Sequence, residues 1–199
     1  MAFIDDVLIY SETFEDHVRD LEEFFGRLRK YHVSLKPSKC NFFATSATYL
    51  GYTLSREGLK PVAAKVEAIC KIPPPKTLTQ LRSFVQMVNF YRRFLRNLST
   101  EAKPLTDLTR KENLPFKPWC PDSAAQRSFD AVKQLLTSAP LLRHPREDLS
   151  FVVEVDASEH GFGAVLCQDF PVEELDEFPE LQEGRRAAAR LPIYFASRK

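Results

Sequence analysis

Glycine is scarce in this sequence, with 6 in 199 residues, and together with 14 Pro and 16 Phe that count excludes collagen-like repeats and flexible Gly/Ser linkers. No apolar run approaches the roughly 18 residues a transmembrane helix needs, so no membrane span is expected. The four cysteines, Cys40, Cys70, Cys120 and Cys167, lie far apart and form no C-x-x-C pair. His17, His32, His144 and His160 add no ligand-like spacing, so a structural zinc site is not expected, and the thiols fit reduced cysteines in an intracellular protein, cytoplasmic or nuclear. The opening Met1-Ala2-Phe3-Ile4-Asp5-Asp6 turns acidic too early for a signal or transit peptide. Because its apolar start falls in the middle of a hairpin pattern, a truncated chain is expected.

Net charge is almost lacking as well: 28 basic against 27 acidic residues leave +1, which weighs against a uniformly basic nucleic-acid coat protein. The average conceals a division. Residues 60–120 hold 12 basic and 4 acidic side chains, net +8, whereas residues 1–59 hold 7 and 9, net −2, and residues 150–199 hold 5 and 10, net −5. What is present in quantity is apolar material, 44% hydrophobic and 12% aromatic, enough for a packed core and against wholesale disorder.

Along the chain, residues 3–10 read as strand, tight turn at Asp5-Asp6, strand. Thr13 followed by Asp16 marks a helix start, and Phe14, Val18, Leu21, Phe25 and Leu28 recur at helical spacing to about residue 31. Val33-Ser34-Leu35 reads as a short strand, Phe42-Phe43 and residues 47–54 as extended, and residues 55–58 as a turn. Pro61 is expected to open a helix over 61–71, followed by a stiff Ile72-Pro73-Pro74-Pro75 linker. A single helix is expected from Leu78 to about Leu98, with Arg82, Gln86, Asn89, Arg93 and Arg96 within about 80° of one another opposite the apolar face. A further helix spans about 122–138, strands follow at 151–155, 161–166 and 191–196, and 169–190 reads as an exposed loop or mobile helix with an acidic and a basic half.

Three features carry chemistry. Asp5-Asp6 at a hairpin tip offers paired hard oxygen donors suited to Mg²⁺ with phosphate oxygens, or simply an acidic turn facing water. The stripe Arg82, Gln86, Asn89, Arg93, Arg96 has no acid between Glu67 and Glu101, which favours phosphate contact over an ordinary solvated face. Asp156 ends an apolar strand, as a metal ligand or as a turn-forming residue, and alone it cannot make a two-metal site. The histidines and Trp119 read as packing or turn residues.

In this order the segments resemble the reverse transcriptase–ribonuclease H polyprotein of gypsy-type long-terminal-repeat retrotransposons. Phe3-Ile4-Asp5-Asp6-Val7 looks like the palm's (Tyr/Phe)-x-Asp-Asp motif, Val33 to Cys40 like the following palm motif, and Tyr49-Leu50-Gly51-Tyr52 like the primer-grip hairpin. Leu81 through Phe94 looks like the thumb, and Glu154-Val155-Asp156-Ala157-Ser158 with Gly163-Ala164-Val165-Leu166 like the opening of the ribonuclease H domain. The resemblance implies an α+β fold: incomplete palm hairpins over 1–60, a helical thumb over 61–118, and a lead-in helix with the first ribonuclease H-like strands over 119–199. It implies Asp5, Asp6 and Asp156 as catalytic Mg²⁺ ligands and Lys39 near incoming phosphate. Leu50, Gly51 and Tyr52 would lie at the primer end, and the 82–96 helix on an RNA–DNA hybrid or other duplex, with the remainder of the polyprotein as partner. Two of three polymerase carboxylates and one of four nuclease carboxylates are present, so this chain alone is expected to be inactive. A non-catalytic nucleic-acid-binding module and a domesticated or decayed relic remain open alternatives.

Overall fold

The chain divides into two units, Met1–Arg56 and Glu57–Lys199. The computed structural model describes residues 1–110, 115–158, 161–172 and 188–198.

In the first unit, β1 (Ala2–Phe3) and β2 (Asp6–Val7) form a minimal hairpin with Ala2 opposite Val7 and Phe3 opposite Asp6. The turn residues are therefore Ile4 and Asp5, one position earlier than the sequence pattern suggests, and Ile4 occupies the left-handed region at φ 51°. Helix α1 (Phe14–Lys30) starts as expected: the Thr13 hydroxyl accepts from the Asp16 amide at 3.1 Å and donates to the Asp16 carboxylate at 2.7 Å. Acidic residues occupy its first turn and basic residues its last, both favourable to the helix dipole. Only Leu21 of α1 is buried. Phe25 packs edge-on against Phe42 and Phe14 tilts on Phe43, so the 40s segment gives this helix aromatic contacts. The strand expected at Val33–Leu35 does not form; its residues stay exposed, because a strand needs a neighbouring edge and Pro37, lacking an N–H, ends the segment in a 3-10 turn over Pro37–Lys39. Phe42-Phe43 is likewise no strand, since Phe43 bends the chain at φ 55°.

Strands β3 (Ser46–Tyr49) and β4 (Tyr52–Ser55) pair in register from Ser46 opposite Ser55 to Tyr49 opposite Tyr52. Their two-residue connection, Leu50 at φ 49° and Gly51 at φ 85°, has the sign pattern of a type I′ turn. Glycine meets it freely; leucine stores strain there.

The second unit begins at β5 (Leu59–Pro61), so Pro61 ends a strand and the helix expected from it starts later, as α2 (Ala63–Cys70). Gly58 lies against the Leu142 carbonyl, only 2.2 Å from where a Cβ would stand, and this close approach allows Leu59 and Leu142 to exchange backbone bonds of 2.8 and 3.0 Å. Helix α3 (Leu78–Phe90) is capped by Thr77 and α6 (Ala124–Thr137) by Ser123; between them come the short α4 (Leu98–Glu101) and α5 (Lys103–Asp107). Their apolar faces meet in one core of Leu81, Phe84, Val88, Leu105, Phe129 and Val132.

The sheet of this unit is antiparallel, in the order β6 (Phe151–Ser158), β7 (Gly161–Pro171), β8 (Ala188–Arg198). Gly163, Val165, Cys167 and Phe195 turn inward, while Val153, Val155 and Phe162 face out. The ends of the expected 169–190 loop are strand: Asp169 pairs with Arg190 and Pro171 with Ala188. Residues 173–187, which hold the acidic half of that stretch, lie outside the described residues. Across the pair, Arg190 donates to both Asp169 oxygens at 2.8 and 3.0 Å and to Glu154 at 3.2 Å. The guanidinium holds the Asp169 carboxyl below its ordinary range. Its contribution is therefore present at neutral pH and lost as pH falls through that depressed value.

Burial pushes the Cys167 thiol upward, with the Glu154 carboxylate adding to it, whereas Cys120 is exposed. Iodoacetamide at neutral pH is accordingly expected to alkylate Cys120 and spare Cys167 until the chain is unfolded. Peptide mapping by mass spectrometry checks this, and rapid native labelling of Cys167 would contradict the inward placement of β7.

Candidate nucleic-acid interface

The basic stripe is only partly a helix face. Through Phe90 the periodicity holds: Leu81, Phe84 and Val88 are buried while Arg82, Gln86 and Asn89 are exposed on the other side. The Arg82 guanidinium lies 3.4 Å from the Thr109 carbonyl. Beyond Phe90 the expected continuous helix is broken. Tyr91 caps α3, Arg92–Phe94 is a single 3-10 turn, Leu95 is extended, and Asn97 takes the left-handed conformation at φ 52° before α4. The break is physical: Tyr91, Phe94 and Leu95, at 1–2% exposure, fill the space between α3 and the sheet, which a straight helix would leave empty.

One consequence is that Arg93 leaves the stripe. Its guanidinium lies over the Tyr194 ring of β8, 5.1 Å from the centroid, a packing role that a straight wheel does not foresee. Arg92 is tied instead to the Ser197 carbonyl at 2.8 Å, and the Ser99 amide and hydroxyl both reach the Ser197 hydroxyl at 3.0 Å. Arg96 stays exposed, but in another place from Arg82.

That place is a crevice of about 220 Å³ shared by Arg96, Asn97, Glu154, Asp156 and Gly163. Asp156 is exposed on β6 opposite Gly163, and two residues away on the same strand face is Glu154. Gly163 is needed for contact, since a Cβ there would stand 1.9 Å from the Asn97 side-chain oxygen. The structure thus brings a cation of the basic stripe, Arg96, into the lining of the Asp156 crevice. Sequence spacing did not suggest this, nor did it single out Asn97; the available signal was that Asn tolerates the left-handed conformation just before a helix.

In the first unit, Asp5 and Asp6 are exposed at the hairpin tip, Asp5 in the turn and Asp6 in β2. Lys39 is exposed at the end of the 3-10 turn, and Leu50, Gly51 and Tyr52 form the tip of the β3–β4 hairpin. Among the described residues no group of three or more His, Cys, Asp or Glu side chains could hold a metal ion. Asp5 with Asp6, and Asp156 beside Glu154, each offer one or two hard oxygen donors, which suits Mg²⁺ only when phosphate oxygens complete its shell. Among the described residues, no helix is long and apolar enough to cross a membrane.

Known proteins align with both ends of this layout. Residues 1–54 match the family model described as reverse transcriptase (RNA-dependent DNA polymerase), and residues 122–177 the one described as RNase H-like domain found in reverse transcriptase. The retrovirus-related Pol polyprotein from transposon opus of Drosophila melanogaster is 34% identical over 175 residues, covering 84% of this chain and 17% of the relative. That from transposon 412 is 33% identical, and the Tf2-3 polyprotein of Schizosaccharomyces pombe 30% identical, each over 84% of this chain but only 13% and 12% of the relative. The chain therefore spans less than a fifth of these curated relatives. Among solved structures, the foamy viral protease-reverse transcriptase in complex with double-stranded DNA superimposes with a TM-score of 0.74 at 23% identity, over 94% of this chain and 30% of the other. The same viral protein in complex with an RNA/DNA hybrid gives 0.72 at 22% identity, over 95% and 23%. These likenesses bear out the α+β reverse transcriptase and ribonuclease H fold implied by the sequence motifs. The chain belongs to the retrovirus-related Pol polyproteins of gypsy- and Tf2-type long-terminal-repeat transposons, of which it carries reverse transcriptase sequence followed by RNase H-like sequence.

Proposed function

We propose that this chain takes part in RNA-directed DNA synthesis coupled to hydrolysis of the RNA–DNA hybrid, inside the cell, and that its own contribution is to grip the hybrid backbone through the unit beginning at Glu57. The carrying observation is the exposed Arg82–Gln86–Asn89 face of α3, on which no acid lies, opposite a fully buried apolar face. A cationic face held rigidly by a packed helix supports backbone contact, because phosphates are read by charge and position and need no base-specific shape. Arg96 beside Asp156 supports a second contact near the nuclease carboxylate.

In this reading residues 1–60 are palm, 61–118 thumb and 119–199 the start of the ribonuclease H-like domain. Asp5, Asp6 and Asp156 hold part of the Mg²⁺ shells. Lys39 faces phosphate, and Leu50, Gly51 and Tyr52 steady the primer end. When bound, Mg²⁺ supplies charge stabilisation at the reacting phosphate. The remaining carboxylates come from the rest of the polyprotein.

Fluorescence anisotropy with a labelled RNA–DNA hybrid tests the grip. The chain is expected to bind with an affinity that falls steeply with salt, and Arg82→Glu with Arg96→Glu to weaken it by about 10- to 100-fold and reduce the salt slope by about 2. Arg93→Gln is expected to leave the slope unchanged, since that guanidinium is occupied on Tyr194. Salt-independent binding, or an undiminished slope in the double variant, would remove the proposal.

A further inference from the structure

Asn97 stands just before α4 with its backbone in the left-handed region at φ 52°, in the position of a helix cap. An asparagine placed there ordinarily turns its side chain back to accept from an amide of the first helical turn. The Asn97 side chain makes no such bond. It turns toward the sheet, where its oxygen takes the space that a Cβ on Gly163 would need. Gly163 is the partner of Asp156, and directly opposed residues project from the same face of a sheet. The carboxamide therefore stands in for the missing side chain across from the Asp156 carboxylate. Arg96, the residue before it, lines the same crevice. Among the described residues it has no ion pair, although Glu154 and Asp156 share the lining, and Glu154 is held by Arg190 at 3.2 Å.

A non-glycine residue in the left-handed region costs free energy, and the cap bond that would offset the cost is not made here. What the conformation achieves is to set a carboxamide in the Asp156 crevice beside an unpaired guanidinium. A carboxamide both donates and accepts, as a ribose 2′-hydroxyl does, whereas a guanidinium only donates and matches phosphate oxygens. Side by side at one carboxylate, the two groups correspond to the sugar and the phosphate of an RNA strand. We infer that Asn97 contacts a ribose 2′-hydroxyl while Arg96 holds a neighbouring phosphate, so that this pair distinguishes an RNA strand from a DNA strand at the Asp156 crevice. The inference rests on the hybrid reading above and adds the residue that selects the sugar. It needs neither Arg82 nor the α3 face, so the two can fail separately.

Fluorescence anisotropy of the full chain with two RNA–DNA hybrids of one sequence tests this, one unmodified and one with a 2′-O-methyl RNA strand. Methylation keeps every phosphate and the A-form geometry but removes the hydroxyl as a donor. The parent is expected to bind the unmodified hybrid about three- to tenfold more tightly, the worth of one hydrogen bond. Asn97→Gly, for which the left-handed backbone is no strain, is expected to bind the two hybrids within about twofold of each other. Its thermal melt and salt slope should match those of the parent, because a neutral amide displaces no counterions. Arg96→Ala is expected to weaken both hybrids alike and to lower the salt slope by about 1. Failure of the parent to discriminate between the hybrids, or a preference that survives Asn97→Gly, would overturn the inference and leave the Arg82 grip standing. A lower melt in Asn97→Gly with both affinities reduced in proportion would also overturn it, making Asn97 a packing residue. Salt-independent binding with a hydroxyl preference that Asn97→Gly abolishes would remove the grip and keep the Asn97 contact.

Discussion

Phe129→Ala is expected to destabilise the second unit by about 3–5 kcal/mol, the range for removing a large aromatic from a tightly packed site. Phe129 is fully buried at the centre of α6. Its ring meets Phe84 of α3 at 4.5 Å between centroids and Trp119 at 5.9 Å, and the Lys133 ammonium sits 4.1 Å from its centroid. Truncation therefore leaves a void touching both long helices. It also strips an aromatic partner from a lysine whose affinity for its proton is already lowered by desolvation. Trp119 is itself anchored, its indole N–H donating to Gln126 at 2.9 Å, so it cannot swing in to fill the gap. Against a typical total of about 5–15 kcal/mol, the loss is a large share of the stability available. Urea denaturation followed by tryptophan fluorescence measures it, and Phe129→Leu, which keeps much of the volume, should recover more than half of the deficit. A loss below about 1 kcal/mol for the alanine variant would mean that the interface between α3 and α6 is not the core described above.

Gln168→Leu should cost about 3 kcal/mol or more, although it exchanges a polar residue for an apolar one in a buried strand. Gln168 is wholly inaccessible, and its amide is fully used: the oxygen accepts from the Arg146 backbone amide at 2.9 Å, and the nitrogen donates to the carbonyls of Arg146 and Leu149, each at 2.7 Å. Leucine fills the space but removes three bonds between a wholly buried side chain and the backbone of Arg146 and Leu149, and their loss outweighs the gain in apolar burial. Gln168→Glu supplies a sharper test. At neutral pH its carboxylate would face two carbonyl oxygens, so burial and repulsion would raise its pKa above the ordinary glutamate range. A raised folded-state pKa makes the deficit grow as pH climbs through that range and shrink as pH falls. Thermal melts of the glutamate variant between about pH 4 and 8 should therefore move toward the parent at the acidic end without reaching it, since a protonated carboxyl has one O–H for two carbonyls, while the leucine variant tracks the parent in parallel. Parallel behaviour of both would show that the Gln168 amide does not hold the 146–149 segment.

The sequence reading located most elements because their causes are local. Thr13 and Ser123 cap helices whose apolar residues recur at helical spacing, and the alternation of Phe151, Val153 and Val155 marks a strand. The charge of +8 on residues 60–120 was likewise visible by counting, as were the adjacent carboxylates of Asp5-Asp6. Where the reading failed, the deciding contact was distant along the chain. The 78–98 helix stops at Phe90 because Tyr91, Phe94 and Leu95 have a sheet to pack against, and that sheet includes β8, about a hundred residues later. Arg93 lies over Tyr194 and Arg96 shares a crevice with Asp156 for the same reason. Val33–Leu35 has strand character yet stays single, since β propensity expresses itself only beside a partner edge. Gln168, to which the sequence reading assigned no role, is the fully bonded anchor of the 146–149 segment. Sequence alone thus determined where the main helices and strands nucleate and where charge concentrates, because caps, periodicity and charge act over a few neighbouring residues. Only tertiary structure decided which arginines face solvent and which carboxylate each one meets, because side-chain direction beyond a helix break is set by packing against strands remote in the chain.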